Sequence, residues 1–246
     1  MYLWSVKFTF ASYEKILKDN LFMHSLLVSA QRVVAGGVIS MFLCITMAYP
    51  LSREKSAFRA RNVYMWIIVF TMIFNGGLIP WYMTVKAVGL IDKFWALILP
   101  CAVNVFNVIL LMNFFRGVPK ELEEAAIVDG AGPINILWKI FVPVSLPAIA
   151  TITLFTVVFH WNSFFDGLVL MNTPGHYPLQ TYIQQLVVVI NTENITDPQQ
   201  LKQLMTISSK TFNAAKIFVS IIPILMVYPF LQRYFVTGIV LGSVKE

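Results

Sequence analysis

Twenty-two consecutive residues, Phe94 to Phe115, carry no charged side chain. Wound as one helix they would measure roughly 33 Å, enough to cross the about 30 Å of hydrocarbon in a bilayer. Val33 to Leu51, Val63 to Val85 and Val144 to Phe165 are charge-free runs of similar length, and a shorter one, Ile217 to Gln232, starts beside Lys216. A soluble domain needs polar side chains to cover its surface, yet this chain of 246 residues is 58 % hydrophobic and 12 % charged. The expected fold class is all-α: a polytopic membrane helical bundle with five predicted spans, at about 21–49, 63–85, 94–115, 144–165 and 213–235. Lys216 is expected to snorkel from the last span towards a headgroup.

Lysine and arginine set the orientation. Arg53, Lys55, Arg59 and Arg61 crowd the segment between the first two spans, which the positive-inside tendency puts in the cytoplasm. The insert at 117–143 and the C-terminal tail, with Arg233 and Lys245, then share that side, and 166–212 forms an extracytoplasmic loop. This topogenic pattern accounts for the net charge of +6, so no nucleic-acid partner is called for. Residues 1–20 become an extracytoplasmic N-terminal segment without a signal-peptide core. A further helix ahead of Met1 would return the N-terminus to the inside, and one is expected. Cys44 and Cys101 both fall within spans and are expected to be free thiols.

Small and turn-forming residues mark the organisation. Gly36-Gly37 in the first span allows close helix contact. Asn75-Gly76-Gly77-Leu78-Ile79-Pro80 is expected to break the second. Tyr182 to Ile190 is apolar but too short to cross, so it is expected to lie against the bundle as an amphipathic or re-entrant helix.

Between the third and fourth spans lies a polar, helix-forming insert, Pro119 to Pro147. Pro119 suits a first helical turn, and Glu121, Glu123 and Glu124 favour the positive end of that helix. Gly130 supplies a turn, Gly132-Pro133 restarts a helix, and Pro143 and Pro147 end or bend it. These residues predict helix, turn, helix: either a solvated interfacial hairpin or a surface offered to a soluble partner.

Glu124-Ala125-Ala126, Gly130 and Ile140-Phe141-Val142-Pro143, at this spacing and on the basic side, resemble the EAA loop of ATP-binding-cassette importer permeases. The likeness extends over nearly the whole chain. Tyr177 to Thr181 and Gly238 to Lys245 are similar to the carbohydrate-importer branch that handles complex polysaccharide fragments. Family members normally have six spans, so the resemblance also implies a missing first one. It implies that Glu124, Ala125, Ala126, Asp129, Gly130, Ile140 and Pro143 belong to a coupling helix and its turn, docked on an ATPase subunit. It further implies a second homologous permease subunit, two ATP-binding subunits carrying ATP and Mg, an extracytoplasmic solute-binding protein, and residence in the bacterial inner membrane.

Polar and aromatic groups inside spans are candidates for a solute path. Asn104 and Asn107 lie three apart, on one helix face. Phe159, Trp161 and Asn162 sit at the outer end of the fourth span. Amides that bond sugar hydroxyls and aromatics that stack on sugar rings are suitable chemistry. Equally, asparagines bond neighbouring helices and aromatics anchor interfaces. Arg32 reads as a headgroup anchor or as an attractor of acidic saccharides. The three histidines are too scattered to suggest a metal. No phosphate loop, His-Glu-x-x-His or Gly-x-Ser-x-Gly is present, so neither cofactor nor catalytic residue is expected in this chain. A secondary carrier or an intramembrane enzyme without an ATPase partner is the alternative reading.

Overall fold

The computed structural model describes residues 14 to 189 except Lys15, and 214 to 226 except Ile224. The N-terminal segment to Tyr13, the predicted outer loop from 190 onward, about half of the fifth span and the Gly238 to Lys245 ending lie outside the described residues. Among those described there are helices and turns and no strand.

The longest element, α1 (Asn20–Ser52), has 33 residues. Asp19 starts it by accepting hydrogen bonds from the backbone N–H groups of Leu21 and Phe22, at 3.1 and 3.2 Å. These occupy two of the donors that every helix start leaves open. At 1.5 Å per residue, α1 alone is long enough to cross a bilayer. It packs against α4 (Val105–Arg116) and α7 (Leu146–Asn162) along most of its length. At Gly36 α1 and α7 are in tight contact: a Cβ there would lie 2.7 Å from the His160 ring. The expected close contact is thus present at Gly36, while a Cβ at buried Gly37 would meet nothing within 4 Å.

The predicted break in the second span is present. Helix α2 (Arg61–Ile73) ends when Phe74 N–H closes on Phe70 O at 2.8 Å. Asn75 Oδ1 then accepts from Gly77 N–H at 2.9 Å, and Gly77 at φ 89 redirects the backbone into α3 (Leu78–Ala87). Pro80 falls in the first turn of α3, where its missing donor costs nothing. The two helices meet at 115°.

The 94–115 run departs from the expectation of one continuous helix. It begins as two 3₁₀ turns, Phe94–Leu97 and Leu99–Cys101, and only α4 is regular. Pro100 lacks an N–H and interrupts the hydrogen-bond ladder. Asn104 then leaves helical geometry to cap α4, its Oδ1 accepting from Asn107 N–H at 3.2 Å, and the pieces bend by 49°. Absence of charge predicts residence in hydrocarbon; it does not predict backbone continuity.

After α4 come α5 (Lys120–Val128) and α6 (Pro133–Ile136). The backbone continues through a π-helical turn, Leu137–Phe141, and a short piece, Val142–Val144. A bend of 84° at Ser145 leads into α7. Short α8 (Phe165–Leu170) follows, then α9 (Leu179–Val189) and α10 (Ala214–Pro223). As expected, α9 lies against the bundle, with Leu179, Tyr182 and Ile183 packed on Phe22 and Trp161. By length and composition one helix suffices to cross a membrane, or up to four if each bent pair counts as one crossing.

The main core is built by α1, α4 and the α6–α7 region, around Ala48, Leu111, Phe115, Phe141 and Ile152. The outward faces also carry large apolar side chains. Trp66, Ile73 and Ile79 are all more than 70 % exposed, a surface that only lipid or another membrane subunit can cover. Cys44 and Cys101 are free thiols, as expected.

Candidate functional site

The 117–143 insert folds as the predicted hairpin. Pro119 stands one residue ahead of α5 as its N-cap, with Glu121 and Glu123 in the first turn. The turn closes through Ala131 N–H to Ala126 O at 2.8 Å and Gly130 N–H to Ile127 O at 3.0 Å. Gly130 has φ 78, a conformation costly for a residue with a Cβ. Gly132 and Pro133 then start α6 as N-cap and first residue.

Of the seven residues assigned to this site, four are brought together beside the turn. Ala126, Asp129, Gly130 and Ile140 line one hollow of about 420 Å³. Glu124 and Ala125 are exposed on α5. Pro143 lies further on, in Val142–Val144. The inner face of the hairpin is fixed: Ile136, Leu137 and Phe141 are buried, with Ala126, Ala131 and Ile140 packed against them. Elsewhere the hairpin is bare: Val128 is 87 % exposed and Ile134 74 %, among the exposed carboxylates Glu121, Glu124 and Asp129, and Leu122 and Ile127 are exposed too.

The spacing of the insert gave no sign of how it is held. Arg53, at the end of α1, bonds the Glu123 carboxylate and the Tyr49 hydroxyl. Its guanidinium lies 4.3 Å from the Tyr49 ring centre and 4.8 Å from that of Phe141. A charge held between two rings and a carboxylate, largely out of water, is a firmer tie than a surface pair. Lys120 bonds Glu54 in the open. That contact holds the Glu54 carboxyl below its ordinary range and raises the Lys120 ammonium, but at this exposure it adds little stability. The available sequence signal was the basic cluster at 53–61 opposite three glutamates in α5.

Among the candidate path residues, two have their polar atoms committed to neighbouring helices. The buried Asn107 amide donates to Thr156 Oγ1 at 3.3 Å, tying α4 to α7. The Trp161 indole is buried and donates to Ser220 O at 3.2 Å, tying α7 to α10. Asn104, Phe159 and Asn162 keep exposed side chains.

Two expectations are overturned. Arg32 is neither a headgroup anchor nor a free attractor of anions: it is fully buried and holds Asp166 through both terminal nitrogens. Lys216 does not snorkel. It is 3 % exposed and bonds Asp19 Oδ2 and the Tyr182 hydroxyl, both at 2.6 Å. In each case an internal carboxylate is available, and pairing with it avoids leaving two separate charges in an apolar setting.

At the same end, Asp92 staples two loops. With a left-handed backbone at φ 58, it accepts from Thr173 Oγ1 at 2.6 Å, from Asn172 and Thr173 N–H, and lies 3.0 Å from His176 Nδ1. The Thr173 hydroxyl and the two amides hold its carboxyl well below the usual carboxylate range.

Bent apolar helices around a polar hairpin, packed on one side and exposed on the other, define an α-helical membrane component. The sequence profile of the family described as "Binding-protein-dependent transport system inner membrane component" matches residues 31–240, and the chain belongs to that family. It is 42 % identical over 238 residues to the polygalacturonan/rhamnogalacturonan transport system permease protein YtcP of Bacillus subtilis (strain 168), covering 97 % of this chain and 82 % of the relative. It is 40 % identical to the protein LplC of the same organism, covering 97 % and 79 %. The fold superposes with a TM-score of 0.86, at 37 % identity, on a bacterial ABC transporter involved in the import of the acidic polysaccharide alginate, covering 96 % of this chain and 82 % of the other. The chain is a permease component of a bacterial inner-membrane ABC transporter. It is not an enzyme, since ATP hydrolysis in such systems belongs to separate ATPase subunits. The carrier and intramembrane-enzyme readings give way to this one.

Proposed function

We propose that this chain forms half of the path for an oligosaccharide entering the cell, paired with a second, homologous permease subunit. Two ATP-binding subunits carry ATP and Mg, and a solute-binding protein delivers the sugar from outside. The basic end faces the cytoplasm, and the hairpin is the element that receives motion from an ATPase subunit. One observation carries this: Val128 and Ile134 are bare on a hairpin whose inner face is fixed. An apolar surface on a rigid polar insert calls for a protein partner, and exposed Glu124 offers that partner's cations a carboxylate.

The covalent path supports transmission. α6 runs through the π-helical turn into α7, so a push on the hairpin tilts α7 about the bend at Ser145. The named relatives support an acidic saccharide as cargo: a pectin-type or alginate-type fragment.

The test is uptake of labelled oligogalacturonate by cells lacking the chromosomal gene and carrying wild type, Glu124→Lys or Gly130→Pro. Both variants are expected to reach normal membrane levels and to lose transport. Wild-type uptake by either one overturns the role of the hairpin. Uptake of neutral but not acidic fragments by wild type overturns the cargo class alone.

A further inference from the structure

Where α1, α2 and α4 end together, a cavity of about 600 Å³ opens between the Ser52-to-Arg61 segment and α5. Its wall carries the cations Arg53, Arg61, Arg116 and Lys120 and the carboxylates Glu54, Glu123 and Glu124. The pairing is uneven. Arg53 is matched by Glu123 and Lys120 by Glu54, and the charge of Glu124 also acts on Lys120. Among the described residues, Arg61 and Arg116 have no carboxylate at ion-pair distance.

Instead both guanidiniums converge on one acceptor. Arg61 Nε donates to Leu51 O at 3.0 Å and Arg116 Nη2 to the same oxygen at 3.5 Å. A helix C-terminus offers about half a unit of negative charge, spread over its last carbonyls. Two full positive charges are therefore drawn to an acceptor that neutralises part of one. Each guanidinium also keeps N–H donors in a planar fork, beside an open space with apolar Phe115, Val118 and Phe141 on its wall. Two arginine forks next to room for a ligand are the recognition chemistry of a phosphate group.

We propose that this cavity is an anion site in which Arg61 and Arg116 hold a phosphate group. The three helix ends around it carry the basic residues that mark a membrane surface, so the phosphate has two sources: the headgroup of an anionic lipid, or a soluble phosphate ester. Arg53, Glu123 and Ile127 share the wall, so occupancy bears on the hairpin itself. The claim does not rest on the cargo or on the ATPase partner.

The test is native mass spectrometry of the assembled transporter in mild detergent, titrated with phosphatidylglycerol or phosphatidylcholine, and separately with inorganic pyrophosphate. Phosphatidylglycerol is expected to be retained at least fivefold more than phosphatidylcholine, and the excess to disappear in the Arg61→Gln/Arg116→Gln double variant. Displacement of the lipid by pyrophosphate, or pyrophosphate binding that the double variant loses, supports the site with a soluble ester as its ligand. Equal retention of the two lipids by the unchanged protein, with no pyrophosphate binding, overturns the proposal without any variant. So does phosphatidylglycerol retention that the double variant leaves intact.

Discussion

Arg32 and Asp166, 134 residues apart in sequence, form a two-pronged ion pair at the junction of α1 and α8, with the arginine fully buried. Asp166 is itself held by Ser163 Oγ and its neighbour's N–H, each at 2.9 Å, and Arg32 also donates to Ser163 O at 3.3 Å. The pair fixes where α7 ends and the outer segment begins. Removing one partner leaves the other charge uncompensated in an apolar setting, which costs about 3–5 kcal/mol. Asp166→Ala or Arg32→Ala is therefore expected to lower membrane levels sharply. The Arg32→Met/Asp166→Leu double variant is expected to recover much of the loss. Quantitative blotting of membranes checks this; a double variant worse than both singles would show that the pair is not the cause.

Gly36 makes a steric prediction. A Cβ placed there would sit 2.7 Å from the His160 ring, and that ring is packed, with Nε2 3.4 Å from Ser40 Oγ. Overpacking of this kind costs about 1–3 kcal/mol. Gly36→Ala is expected to lower the melting temperature of the purified transporter, and His160→Ala to restore part of it in the Gly36→Ala background. Additive losses in the double variant would count against the contact.

How much of this could be read in advance divides along a physical line. The hairpin was legible because each of its steps depends on local chemistry: Glu121 and Glu123 at a helix start, a positive φ at Gly130, Pro133 opening α6. The break at Asn75-Gly77 was legible for the same reason. What the sequence concealed were pairings between distant elements. Arg32 has no local feature distinguishing a headgroup anchor from a buried partner, because its partner lies 134 residues away in the sequence. Lys216 was misread in the same way, since Asp19 and Tyr182 reach it from distant parts of the chain. The continuity of 94–115 failed on one proline and one capping asparagine, which an average over hydrophobicity does not register.

The Asp92 staple predicts a pH response outside the membrane. Its folded carboxyl titrates below its unfolded value, so its contribution is present above the unfolded pKa of about 4 and is lost as pH falls through the folded value. Between pH 5 and 8 the two loops are expected to stay joined. As pH falls below about 4 they separate progressively. Hydrogen exchange at the Asn172 and Thr173 amides, which bond Asp92, is the direct readout. Asp92→Asn is expected to raise exchange there at every pH. Protection unchanged from pH 6 to pH 3 would refute the staple.

The remaining prediction concerns how α1 serves as a strut. Near one end, Arg53 grips Glu123 on the hairpin; further along the same helix, Arg32 grips Asp166 just beyond α7. Hairpin and α7 are one covalent stretch bent at Ser145, so α1 closes a ring with it: α5, α6, α7, Asp166, Arg32, Arg53 and back to Glu123. A hairpin movement cannot then be absorbed by the bend alone, because α1 fixes the distance between the two grips. Cutting the ring at Arg53 removes a partly buried ion pair and two ring contacts, on the order of 1–2 kcal/mol, or about tenfold in the equilibrium between held and loose hairpin. Arg53→Met is therefore expected to leave assembly and basal ATPase nearly unchanged while reducing solute moved per ATP severalfold. Glu123→Gln should do the same, and the double variant should be no worse than either single. Reconstituted vesicles reporting ATP hydrolysis and uptake together decide it. If Arg53→Met keeps full transport per ATP, the grip contributes stability only, and transmission runs through the Ser145 bend without α1.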